Sequence, residues 1–146
     1  MRKPTLPHEI ARHFFQALMQ NQLQVCWGLF SKKSQQEFIN WTLKDLYAQS
    51  ENAAKAAKLG PPEIKLMFET NTIDLIIRFW RRFVRQSHAV EFARYAYFET
   101  LENRGKTAIV EARINYENGQ ERRVHLTMIN EAGGWKLGYL ESGLGF

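Results

Sequence analysis

Arg78, Arg81, Arg82 and Arg85 recur at i, i+3, i+4 and i+7, so a helix drawn through them carries one basic stripe. Guanidinium groups at that spacing can contact phosphates, anionic lipid or an acidic protein surface, and they equally suit a solvated face near a helix C-terminus. Arg94 is a second charge of interest. In a strand it alternates onto the face of Phe92 and Ala96, beside Ile114 and Val124, where it needs a ligand carboxylate or phosphate, a glutamate, or a path past the sheet edge. Asp45 and Asp74 are the two aspartates; Asp74 stands four residues before Arg78, the spacing of a helical ion pair, and Asp45 falls among polar helix positions. His8 and His13 are five residues apart and cannot share a helical face as an i,i+4 metal pair does; His88 falls at a helix end. No metal site is expected. Neither a phosphate-cradling glycine loop nor a nucleophile motif is present, and no residue is marked as catalytic.

The elements that would position these groups follow from periodicity. Pro7 and Glu9 suit a helix start, and Ile10, Phe14, Ala17 and Leu18 continue it at three- and four-residue steps. A second helical region begins near Leu23, with Ser31 to Ser34 a candidate break before Phe38, Trp41, Leu43 and Leu46. Residues 51–59 are rich in strong helix formers, and Gly60, Pro61 and Pro62 stop that run. Asn71 or Thr72 can cap the best-defined helix, whose stripe is Ile73, Ile76, Ile77, Trp80 and Val84. The aromatics Trp27, Phe30, Trp41, Phe79, Trp80 and Phe83 fall at helical spacings, as core or as the lining of a pocket.

Past Ser87 the period changes to two, with turn residues at Asn103 to Gly105, Asn118-Gly119 and Gly133-Gly134. Strands are predicted over about 89–101, 107–117, 121–130 and 134–141. Ala108, Val110, Ala112, Ile114 and Tyr116 share one face with Val124, Leu126 and Met128, and with Trp135, Leu137 and Tyr139. A plain two-residue Asn118-Gly119 turn would set Val124 beside Arg113, so a three-residue loop or a bulge is expected there. The opposite face then groups Tyr95, Arg113 and His125 in one row and Tyr97, Glu111 and Thr127 in the next.

One domain over residues 1–146 accommodates all of this. With 13% aromatic residues the chain is too apolar for a disordered segment, and the single Cys26 excludes an intrachain disulfide and suits a reducing compartment. Pro4, Pro7, His8, Glu9 and Arg12 break any signal-like apolar run, so a cytoplasmic location is expected. The net charge of +5 favours acidic partners but is also a common solubility device.

Helices carrying Phe14-Phe15-Gln16-Ala17-Leu18 and Trp27-Gly28-Leu29-Phe30-Ser31, followed by a meander ending in Gly134-Trp135-Lys136-Leu137, resemble the nuclear transport factor 2-like superfamily over nearly the whole chain. The resemblance implies an α+β fold in which N-terminal helices pack on a curved antiparallel four-stranded β-meander, a cone with a ligand pocket. Its members include isomerase-, dehydratase- and cyclase-like enzymes, ligand binders and non-catalytic dimers, and fold alone does not choose among them.

The expected function is a non-catalytic small-molecule-binding or protein-interaction domain, dimeric through the sheet. The alternative is a small isomerase, dehydratase or cyclase-like enzyme acting on a hydrophobic substrate. Pocket candidates are Arg94, Trp27, Trp41, Trp80 and Tyr116; interface candidates are Tyr95, Tyr97, Glu111, Arg113, His125 and Thr127; anion-binding candidates are Arg78, Arg81, Arg82 and Arg85. The expected partners are a second copy and a hydrophobic or anionic small ligand, with no cofactor, and not nucleic acid or membrane.

Overall fold

The computed structural model describes residues 4–49, 58–144 and 146. Helices occupy the first two thirds: α1 (Pro7–Met19), α2 (Leu23–Leu29), α3 (Lys32–Ala48), α4 (Pro61–Thr70), a 3-10 turn (Ile73–Leu75), α5 (Ile77–Gln86) and α6 (Ala89–Tyr95). The strands β1 (Tyr97–Asn103), β2 (Thr107–Asn115), β3 (Glu121–Glu131) and β4 (Gly134–Gly138) follow as an antiparallel meander in sequence order. The fold is α+β, with the helices packed against the sheet. Among the described residues no helix is long and apolar enough to cross a membrane.

Local chemistry sets the helix limits. Pro7 opens α1, and the Glu9 carboxylate reaches back to accept from the Leu6 backbone N–H at 3.1 Å. Ser31 makes the break between α2 and α3: its Oγ accepts from the Ser34 backbone N–H at 3.2 Å and caps α3. Of the helix expected over 51–59, residues 51–57 lie outside the described residues. Gly60, Pro61 and Pro62 open α4, because a proline at the first helical position forgoes an N–H that has no partner anyway. The single helix expected from Ile73 is divided: Asn71 ends α4 in the left-handed region at φ 53°, and the 3-10 turn comes before α5. Ile76, Trp80 and Phe83 nonetheless point inward and are buried.

The core is aromatic. Phe14, Phe30, Phe38, Phe79 and Phe83 are fully buried, with Phe30 and Phe83 rings 5.2 Å apart and Phe38 and Phe79 rings 4.8 Å apart. Cys26 lies within it, and burial pushes its thiol up to about 12.

The first strand differs from expectation. Residues 89–95 are helical: Phe92 and Ala96 fit alternation as well as a helical turn, but buried Ala89 lies three residues before Phe92, a step that only a helix keeps on one face. Arg94 and Tyr95 are therefore not sheet residues; both are exposed on α6. The β2–β3 hairpin has a three-residue loop, Glu117 to Gly119, closed by Tyr116 N–H to Gln120 carbonyl at 2.8 Å, with Gly119 at φ 84°. Val124 thus faces Ala112, Leu126 faces Val110 and Met128 faces Ala108, as the apolar pattern requires.

The rows on the outer face are shifted from those expected. Arg113 lies between Tyr97 and Arg123, and Glu111 lies between Glu99 and His125, while Thr127 pairs with Ile109. Keeping the apolar face inward allows registers that differ by two residues, and the placement of the three-residue loop at Glu117 to Gly119 selects this one. The free edge of β4 is covered: Phe30 bridges Leu137, and the Ser31 N–H donates to the Leu137 carbonyl at 3.0 Å.

Candidate functional site

A cavity of about 290 Å³ lies where the α5–α6 junction meets the helix-facing side of the sheet. Phe15 and Phe92 supply its helical wall, Ala112, Val124 and Leu126 its sheet wall, and Tyr139 and Leu144 the segment after β4. The volume is near the lower end of the ~300–1,000 Å³ usual for small-molecule sites.

Gln86, Ser87, His88 and Arg122 add polar groups to this lining. Ser87 ends α5, donating its backbone N–H to the Phe83 carbonyl at 2.9 Å, but its buried Oγ has no hydrogen-bond partner among the described residues. An unmet hydroxyl costs about 1–3 kcal/mol when buried. His88 follows at φ 53°, a left-handed conformation rare outside glycine, and this turn directs the chain from α5 into α6.

Arg122 is the last of these polar groups. It alternates with Val124 and Leu126 on β3 and so stands on the helix-facing side, opposite Ile114. Its guanidinium is 5.4 Å from the centre of the Phe92 ring, and Nη1 is 3.5 Å from Glu91 Oε2. The same carboxylate oxygen accepts from the Tyr116 hydroxyl at 3.2 Å. A guanidinium has five N–H donors, so this one ion pair leaves donors for a ligand. Burial pushes the Tyr139 phenol up to about 12, so Tyr139 is a neutral hydroxyl and no general base.

None of the five pocket residues expected from sequence lines this cavity. Trp27 is in the core, stacked on Phe68 at 3.9 Å between ring centres, and Trp80 is buried among phenylalanines. Trp41 borders a different groove, Tyr116 is exposed beyond the end of β2, and Arg94 is exposed on the last turn of α6. The cation on the helix-facing side of the sheet is Arg122, partly exposed, and not Arg94. The alternation of Arg122, Val124 and Leu126 carried that signal; Ser87, His88 and Leu144 had none, because their positions depend on how separate segments meet.

The remaining sequence candidates form two other clusters. On the outer sheet face the Glu111 carboxylate is buried beneath Arg113, Arg123 and His125, at 3.9, 3.7 and 3.3 Å. Arg113 also covers the Tyr97 ring at 5.5 Å, and Thr127 is held by its backbone N–H to Ser142 Oγ at 2.8 Å. Tyr95 stands apart from this cluster. The arginine stripe of α5 runs along a third surface, where Arg78 pairs with Asp45 across to α3 and not with Asp74 as its spacing suggested.

No known family model, curated protein or solved structure matches this chain.

Proposed function

We propose that the chain is a small-molecule-binding domain whose ligand occupies the cavity between the α5–α6 junction and the sheet. Its helices-then-meander order is that of the nuclear transport factor 2-like superfamily, and membership there is part of the proposal. The observation that carries the reading is the cavity itself, whose lining sets the Arg122 guanidinium beside Phe15, Val124 and Leu126, with the buried, unpartnered Ser87 hydroxyl in its wall. Apolar walls with a hydroxyl and a cation suit a small amphipathic acid, its tail against Phe15, Val124 and Leu126 and its anionic head toward Arg122.

An enzyme in the same cavity, isomerase-, dehydratase- or cyclase-like, would need an acid–base group at the reacting atoms. His88 is the imidazole on the lining, and no carboxylate of the described residues lines it. Binding without chemistry is therefore the reading preferred. Pairing of two copies through the outer sheet face has one supporting observation, the exposure of Tyr97 (59%) beside Arg113. The charges that would cross such an interface are already paired within the chain.

Ser87→Ala separates a binding role from a structural one. The variant is expected to be as stable as the parent or more stable, by up to about 1 kcal/mol, because it removes a buried hydroxyl without a partner. Octanoate, chosen as a probe with an apolar tail and one carboxylate, is expected to bind it about fivefold more weakly in calorimetry, the loss of one hydrogen bond. A stability loss above about 1 kcal/mol with unchanged octanoate affinity would make the hydroxyl structural and remove the support for a ligand.

A further inference from the structure

We infer that the groove between α3 and α5 is a separate site for a linear oligophosphate group. It has a volume of about 260 Å³ and is lined by Trp41, Asp45, Arg78, Arg81, Arg82 and Arg85, four cations against one carboxylate. Asp45 is engaged by Arg78, whose Nε and Nη2 donate to Oδ2 and Oδ1 at 2.9 and 3.2 Å. Arg82 is held in place: Nη2 donates to the Phe146 backbone carbonyl at 2.9 Å, and the guanidinium lies 5.5 Å from the Trp41 ring and 5.2 Å from the Phe146 ring. The side chains of Arg81 and Arg85 are exposed and have no hydrogen-bond or ion-pair partner among the described residues.

A solvated helix face does not require this arrangement. Like charges at i,i+3 and i,i+4 repel, and lysine would serve solubility as well as arginine. All four are arginines, whose planar fork matches phosphate oxygens bidentately, and Arg82 is fixed before any ligand arrives. Arg81 and Arg85, the two without partners among the described residues, are about 6 Å apart along the helix at about 1.5 Å per residue, a span that linked phosphates fill better than one. Nucleic acid is the less suitable anion, because Arg82 already covers one face of Trp41, the aromatic ring on this groove's lining.

The test is calorimetry of the full chain at low salt with tripolyphosphate, pyrophosphate and orthophosphate. Tripolyphosphate is expected to bind at least about tenfold more tightly than orthophosphate, and an Arg81→Gln, Arg85→Gln double variant to lose at least about tenfold of that affinity. Both side chains are exposed, so the variant is expected to keep its circular dichroism spectrum and thermal midpoint. A Lys32→Gln, Lys33→Gln control, which removes as much charge elsewhere, should bind as the parent does. The assignment is overturned if no saturable binding is found or if the two double variants behave alike. It is overturned in favour of nucleic acid if a short single-stranded oligonucleotide binds more tightly per site than tripolyphosphate with the same dependence on Arg81 and Arg85.

Discussion

Trp80→Ala is expected to lower the unfolding free energy by about 3–5 kcal/mol, the range for deleting a large ring from a packed core. Trp80 is 3% exposed, and its ring meets Phe79 at 5.0 Å, Phe68 at 6.0 Å, Phe83 at 6.1 Å and Phe30 at 6.2 Å between centres. Those rings come from α4, α5 and the α2–α3 junction, so no single segment can move to fill the space left behind. The indole Nε1 has no hydrogen-bond partner among the described residues. Trp80→Phe should therefore cost less than about 1.5 kcal/mol, since it gives up ring volume but also a buried N–H without a partner. Guanidinium unfolding followed by circular dichroism measures both. An alanine variant that loses less than about 1 kcal/mol would show that Trp80 is not a packed core residue.

Glu111→Lys should be comparably damaging. The Glu111 side chain is 7% exposed and stands beneath three basic groups, Arg113, Arg123 and His125. Lysine there would bury an ammonium group against them and remove the one carboxylate they share, at an expected cost of about 3–5 kcal/mol. Glu111→Leu should stay within about 1 kcal/mol of the parent: the partners are partly exposed and can turn to water, and Arg113 and Arg123 keep Glu121 at 3.6 and 3.0 Å. The contrast between the two variants is the informative result. If leucine costs as much as lysine, the carboxylate itself holds the sheet, and the burial of charge is not the deciding effect.

The parts of the fold legible from sequence were those with local causes. The α1 stripe of Ile10, Phe14, Ala17 and Leu18 and the inner face of β2 at Ala108, Val110, Ala112 and Ile114 are periodic over enough residues to leave one reading. Residues 89–95 were misread, because Phe92 and Ala96 fit a helix or a strand; the step from Ala89 to Phe92 and the contacts of α6 with α1 and β2 choose the helix. That choice moved Arg94 and Tyr95 off the sheet. The register of the outer face was underdetermined for a related reason: apolar alternation is unchanged by a shift of two residues, which replaces His125 by Arg123 opposite Arg113. Asp45 and Arg78 show the limit of spacing rules. The i,i+4 position offered Asp74, but the 3-10 turn at Ile73–Leu75 takes Asp74 out of α5, and the carboxylate from α3 is the one within reach.

The binding reading rests on where a ligand sits, and isotope-edited NMR with octanoate locates it directly. Saturable shifts are expected at Ser87, His88, Val124, Leu126 and Leu144, around the cavity, with Arg81 and Arg85 unmoved. Saturable shifts confined to the outer sheet face or to the α3–α5 groove, or no saturation at any of the cavity residues, would contradict it.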